Sequence, residues 1–543
     1  MEGSALPFRP YGEGYILNKD ALSFYLLKRE AIFWDTITMK RLILLFVFIV
    51  TYASGQVDLK KLDEYYAKAQ KDWGVPGMSV AIVKDGKLIF SKGYGRKEEG
   101  KTDKPDENTL YAIASNSKAF TASVIAQLVD EGKLSWDDKV RKYLPYFELS
   151  DPWLSNEVTI RDLLSHRVGL GTFSGDLIWY RSKLNGEDIV QRVKYLKPDY
   201  GFRAGFGYSN VMFITAGEVI KAVTGKTFSQ NVKERFFDPL GMSRSITNTK
   251  DLESKGNFAS PHILANGKNQ VMPWENWEHV ASTGGILSSV NDMSKWLIFQ
   301  LSNGVSKGDT LLKPSTQNVT WTPHNALPVN HINPTRTGHF SGYTLGWFYS
   351  DYQGKFRLSH TGGYSGMLSA VTILPDEKLG IVILTNGMVP VYNALVNYTL
   401  DRFIKAPMRD WSAENLDRFR KATQNDSRIP DRMKARVSNT KPSVAVDAYV
   451  GEFFTPSYGT ISIRQENGKL KISFEHTPDL TATLEHWHYD TWKMNWDNPE
   501  VLAWFTFGTV KFNLDNNAKV SGLEFDVPND DFFFEELNAT KSK

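Results

Sequence analysis

The chain has no cysteine among its 543 residues. That absence removes disulfides, thiolate metal sites, a cysteine nucleophile and a lipidated N-terminal cysteine together. It also lacks long runs of one charge: 64 basic and 61 acidic residues leave a formal charge of +3, so no nucleic-acid partner is expected. Neither an internal repeat nor a low-complexity tract occurs. One stretch is conspicuously apolar, Leu42 to Val50, and it is too short to span a bilayer comfortably.

That stretch follows Met39-Lys40-Arg41 and precedes Ala53-Ser54-Gly55, the basic region, apolar region and small-residue cleavage site of a secretory signal peptide. Residues 39–55 are expected to be a removed leader, with a retained membrane anchor as the alternative, and the protein to be exported to the periplasm or beyond. Signal peptides start at the initiator, so residues 1–38 read as an over-extended N-terminus, or else as an unusual leader.

What is present is ample core material, 41% hydrophobic and 13% aromatic residues, enough for two or more domains. A helix is expected over Leu59 to Trp73, then a hairpin of Met78 to Val83 and Leu88 to Ser91 turning at Asp85-Gly86. Helices and loops follow, with a helix from Phe213 closed by Gly225 and another over Val290 to Leu301. Strands return at Met367 to Leu374 and Leu379 to Leu384. The fold class is α+β: an antiparallel sheet built from both ends of residues 56–390 and flanked by helices, with a helical insertion between. A helix and linker over 391–442 lead to an antiparallel β-barrel or sandwich over 443–540, read from short alternating runs that include Trp504 to Phe507 and an Asn467-Gly468 turn.

Chemistry centres on Tyr111 to Phe120, where Ser115 and Lys118 stand three apart at the start of a helix carrying Val124, Ile125, Leu128 and Val129. One helical turn puts both on one face. A serine hydroxyl is a weak nucleophile until a base takes its proton, and a lysine with a lowered pKa can do so. The helix N-terminus favours an anionic oxygen developing on a substrate carbonyl. The bland alternative is a capping serine and a solvated lysine, since roughly two such spacings arise by chance in a chain this long. Ser438 and Lys441 are a second match, in a polar, Pro-flanked segment.

Tyr208-Ser209-Asn210 follows a glycine-rich approach and precedes a helix, and His360-Thr361-Gly362-Gly363 stands beside the strand from Met367. In this order with Ser115 and Lys118 they resemble the serine beta-lactamase and penicillin-binding superfamily, in its S12-type, class C-like esterase, peptidase and D-aminopeptidase branch. The resemblance covers about residues 60 to 390 and extends to Val158 to Leu170, Asp238 to Met242 and Ser282 to Ser289. The C-terminal segment is similar to the lipocalin-like domain appended to some S12-type peptidases.

The resemblance implies that Ser115 is acylated, Lys118 is its base, Tyr208 shuttles a proton and Asn210 orients the substrate and the lysine. It further implies an oxyanion hole of the Ser115 and Gly363 N–H groups. His360 stands where many penicillin-recognising relatives carry a lysine, and a neutral imidazole favours uncharged esters or amides over anionic ones. The expected partner is a small ester, amide or peptide, cell-wall fragments included; no cofactor and no metal is implied. Alternatives are a cell-wall D,D-peptidase or beta-lactamase, and a non-catalytic binding protein on the same fold.

Blander roles stay open for single residues: Tyr208 as a core tyrosine, Asn210 as a helix cap, His166 as a loop anchor. His486 and His488 lack a third metal ligand nearby. Gly363 to Met367 lacks the final glycine of an α/β-hydrolase nucleophile elbow.

Overall fold

A computed structural model describes residues 57–265, 267–329 and 337–542. The expected leader and over-extended N-terminus lie outside the described residues. Residues from Lys60 onward form one compact unit.

Its centre is an eight-stranded antiparallel sheet. In chain order the strands are β1 (Gly77–Lys84), β2 (Lys87–Gly95), β3 (Asn325–Ala326), β4 (Ser341–Tyr343), β5 (Phe348–Tyr352), β6 (Lys355–Tyr364), β7 (Met367–Leu374) and β8 (Leu379–Thr385). Their spatial order, β2-β1-β8-β7-β6-β5-β4-β3, joins both ends of the domain through the β1–β8 pair, Met78 opposite Thr385 and Lys84 opposite Leu379. The first hairpin turns at Asp85 and Gly86, both with φ above +50°, as the Asp-Gly signal requires.

Every residue of β8 is buried, which demands cover on both sheet faces. Helices α1 (Leu59–Asp72), α4 (Val290–Leu301) and α5 (Tyr392–Ile404) supply it, with α4 against β1 and β8 and α5 against β7 and β8. Helix α1 joins α5 through Tyr65 stacked on Tyr398, ring centroids 3.5 Å apart.

Between the sheet and the helical insertion run α2 (Ser117–Asp130) and α3 (Asn210–Thr224). The apolar stripe on α2 foretells one buried face, but Ser117 through Leu128 are buried all round, as befits a helix packed on several sides. Phe120 anchors it, stacked on Trp296 with centroids 3.8 Å apart and edge-on to Phe236 and Phe237. Truncating such a ring costs about 3–5 kcal/mol. Gly225, in the left-handed region at φ 71°, ends α3.

Two local expectations differ. Residues 391–442 hold three helices, α5, Trp411–Gln424 and Arg428–Lys434, the latter two largely exposed and so without the apolar periodicity that marks a buried helix. Trp504 to Phe507 is not a strand: Asn498 caps and Pro499 opens a helix over Pro499–Trp504.

The C-terminal strands close into an eight-stranded antiparallel barrel from Gly451 to Lys541. Alternate side chains, among them Phe453, Ile461, Ile472, Leu484, Met494, Phe512 and Leu523, are buried. They fill the interior as small barrels require.

Candidate active site

Ser115 sits in a one-turn 3-10 helix, Ala114–Asn116, that runs straight into α2. Ala114 takes φ 45°, a left-handed conformation that costs an alanine roughly 1–2 kcal/mol. The packing that holds it comes from β6: a Cβ on Gly362 would meet Ile113 O at 2.3 Å and Ala114 Cβ at 3.0 Å. Gly362 is thus the glycine the fold demands, whereas a Cβ on Gly363 meets only Leu368 Cδ2 at 3.8 Å. Both place the β6 backbone alongside the serine.

Lys118 is wholly buried. Its Nζ lies 3.0 Å from Ser115 Oγ, 2.7 Å from Asn210 Oδ1 and 2.8 Å from the Thr283 carbonyl. Burial drives its pKa well below the usual lysine range, against the raising effect of Asp176. A neutral amine has two N–H groups and one lone pair. The Thr283 carbonyl can only accept, and Asn210 Oδ1 can only accept, so they take the two N–H groups and leave the lone pair facing the Ser115 hydroxyl.

Asn210 is held to that orientation from its other end. Its Nδ2 donates to Asp176 Oδ2 over 2.6 Å, and its Oδ1 also accepts from Thr283 Oγ1 at 2.9 Å. Asp176 Oδ1 accepts from Trp179 Nε1 at 2.9 Å. Burial pushes the Asp176 carboxyl up to about 8, against these hydrogen bonds. So Asn210 is no cap: it opens α3 and turns its amide inward.

The Tyr208 phenol faces this centre, with Lys118 Nζ 4.8 Å from its ring centroid. Burial holds the phenol well above its usual pKa, partly offset by hydrogen bonding with Ser115, so it is a stored proton at neutral pH. His166, at φ 56°, packs on Tyr208 with centroids 4.4 Å apart and accepts from the Ser209 N–H through Nδ1 at 3.0 Å. It fixes the loop before α3.

His360 is 2% exposed. Its Nδ1 lies 2.6 Å from the Thr361 carbonyl and its Nε2 3.1 Å from Tyr343 Oη. A carbonyl cannot donate, so Nδ1 carries the hydrogen and Nε2 accepts from Tyr343. Burial, with Lys118 nearby, lowers its pKa to about 3. His360 is a neutral wall with both nitrogens engaged.

These groups open on a cavity of about 450 Å³ lined by Ser115, Tyr208, Asn210, His360 and Gly363 and, from the barrel side, by Trp504, Asp531 and Phe532. The barrel is tied down beside it. Glu536 accepts from Ser174 Oγ at 2.6 Å and from the Gly175 N–H at 2.9 Å, at the start of the short helix Asp176–Trp179 that carries Asp176. Arg181 donates to Glu275 at 2.6 Å, to Asp479 at 3.2 Å and to Glu500, the last two being barrel residues.

All six residues singled out in the sequence, Ser115, Lys118, Tyr208, Asn210, His360 and Gly363, meet in this one place. Asp176, Tyr343 and Asp531 carry no motif and were not singled out; Thr283 contributes a main-chain carbonyl that any residue could offer. Ser438 and Lys441 are exposed, far from any such setting. His486 Nε2 bonds the Tyr489 carbonyl and His488 Nδ1 the Val437 N–H, and among the described residues no cluster of three His, Asp or Glu side chains is placed to hold a metal ion.

Comparison with known proteins identifies the family. The Beta-lactamase family matches residues 62–404, and a domain of unknown function (DUF3471) matches residues 435–541. Unguisins hydrolase ungD' of Aspergillus campestris is 30% identical over 74% of this chain and 78% of its own. Protein flp of Staphylococcus aureus is 28% identical over 58% and 60%. The octameric penicillin-binding protein homologue from Pyrococcus abyssi superposes with a TM-score of 0.57 at 19% identity, over 89% of this chain and all of that one.

Proposed function

Because the chain belongs to the beta-lactamase family, we propose that it is an exported serine hydrolase that opens esters or small amide bonds through an acyl-enzyme on Ser115. The observation that carries this reading is Lys118 Nζ at 3.0 Å from Ser115 Oγ with its other directions occupied by acceptors. Export is supported by the leader-like pattern of residues 39–55.

In this mechanism Ser115 Oγ passes its proton to the Lys118 lone pair and attacks the substrate carbonyl. Charge developing on the carbonyl oxygen is met by the Ser115 and Gly363 N–H groups. The Tyr208 phenol protonates the leaving alcohol or amine and takes a proton back from Lys118. Water then enters, gives its proton along the same route and releases the acid, restoring Ser115.

The relative named for hydrolysing unguisins supports hydrolysis as the reaction. An idle binding protein has no need of a desolvated lysine, which is expensive to bury. A D,D-peptidase or beta-lactamase role is less favoured, since neutral His360 offers no cation for a substrate carboxylate. Hydrolysis of p-nitrophenyl butyrate by the full chain, lost in Ser115→Ala, tests the reading; equal rates in both proteins would refute it.

A further inference from the structure

A second concavity shares no lining residue with the cavity of Ser115. It is a groove of about 570 Å³ between β6, the start of α5 and the helix Trp411–Gln424. Two arginines and three asparagines line it, and among the described residues no aspartate or glutamate does. A concave surface with cations and carboxamides but no acid selects for negative charge.

Arg357, on β6, is its centre. Its Nε donates to Ser350 Oγ at 2.9 Å and its guanidinium lies 5.5 Å from the Tyr352 ring, yet among the described residues neither of its Nη atoms has a hydrogen-bond or ion-pair partner. The acids around it are engaged elsewhere. Asp351 accepts from the His339 and Phe340 N–H groups and pairs with the His339 ring, and Asp401 accepts from Tyr352 Oη at 2.7 Å and Trp411 Nε1 at 2.6 Å. Burial lowers the Arg357 pKa, against the raising effects of Tyr352 and Asp351. A partly desolvated cation that no carboxylate meets is costly unless a ligand supplies the opposite charge.

The rest of the lining narrows the ligand. Asn393 and Asn397 stand one turn apart on α5, and among the described residues their side-chain amides have no hydrogen-bond partner. Arg418 sits exposed at the rim and donates to Asn415 Oδ1 at 2.6 Å. Trp73 and Trp411 spend their N–H groups on Ser412 Oγ and Asp401, so they present only ring surface, and Trp73 packs on Phe419 with centroids 5.8 Å apart. One inner guanidinium balances a single negative charge, and its two free Nη atoms form a planar fork that fits the two oxygens of a carboxylate.

We propose that this groove binds a small carboxylate bearing an aromatic ring, with the carboxylate on Arg357 and the ring on the Trp73, Trp411 and Phe419 side. The proposal stands apart from the serine hydrolase reading and needs no turnover.

3-Phenylpropionate and 3-phenylpropanamide, titrated calorimetrically into the full chain at pH 7.5 and low salt, differ in charge and little in shape. The acid is expected to bind at least about tenfold tighter, as a charge-assisted, bidentate contact should. Arg357→Gln should abolish the difference, and Arg357→Lys, which keeps the charge without the fork, should restore only part of it. Asn397→Asp, a near-isosteric change on α5 that gives the groove its own negative charge, should also abolish it, so the test survives an Arg357→Gln variant that fails to fold. Arg418→Gln, at the exposed rim, should move it no more than about threefold. Equal affinities, or a preference that persists in folded Arg357→Gln or in Asn397→Asp, would overturn the proposal. Phenyl phosphate binding more than about tenfold tighter than 3-phenylpropionate would also overturn it, since the groove would then suit a phosphate.

Discussion

Asn210 Nδ2 donates to Asp176 Oδ2 over 2.6 Å, and this contact decides which end of the amide faces Lys118. With the oxygen toward the lysine, the amine's hydrogens are drawn away from Ser115 and its lone pair is left to the hydroxyl. The chain Asp176, Asn210, Lys118, Ser115 is therefore a device for presenting a base in one orientation.

That device has a pH signature. Asp176 gives up its proton near pH 8, and its carboxylate raises the proton affinity of Lys118. Below pH 8 the acid is neutral; above it, the new charge stabilises the ammonium that forms when Ser115 passes its proton to the still neutral lysine, so kcat/KM is expected to rise through pH 8. Asparagine at 176 still accepts from Asn210 but cannot ionise, so Asp176→Asn should keep activity flat through pH 8 to 9. A profile that rises as before would remove Asp176 from this role.

Lys118 and Tyr208 are expected to act in one proton relay. Lys118→Ala and Tyr208→Phe should each lower kcat by about 10²–10⁴, and the double variant should lose little more than the worse single one. Multiplicative losses in steady-state kinetics would mean separate steps.

Substrate charge gives a third check. With His360 neutral down to about pH 3, nitrocefin, an anion, should be turned over weakly, and its rate relative to a neutral p-nitrophenyl ester should stay constant from pH 6 to 8. His360→Lys should shift the ratio toward nitrocefin. A ratio that climbs toward pH 6 in the unmodified protein would show that the imidazole charges after all.

The barrel's attachment is testable by limited proteolysis. Cleavage is expected in the exposed stretch around Arg428–Lys434, yet the fragments should elute together from a sizing column, held by Glu536 on Ser174 and Gly175 and by Arg181 on Asp479 and Glu500. Fragments that separate under native conditions would show these contacts to be too weak to hold the cavity wall in place.

Much of this was legible in the sequence because it is written in local signals. The Asp85-Gly86 turn, the Gly225 stop and the alternation of the barrel strands each follow from backbone chemistry over a few residues. The hidden part is non-local. Asp176 lies 58 residues from Lys118 in the chain and is joined to it by hydrogen bonds through Asn210, and Asp531 reaches the cavity from the far end of the chain. Trp504 to Phe507 misleads because an aromatic run suits a strand and a helix end equally, and only the Asn498-Pro499 start separates them. Gly362 and Gly363 show a subtler limit: the sequence offers two adjacent glycines alike, and only the structure places the backbone crowding at Gly362.

Peptide mapping after reaction with a fluorophosphonate reads the nucleophile itself. The adduct is expected on Ser115, and it should vanish in Ser115→Ala while the melting temperature changes by no more than a few degrees. An adduct on Ser365, a second serine lining the cavity, or on Ser438, or no adduct on a folded protein, would contradict the assignment.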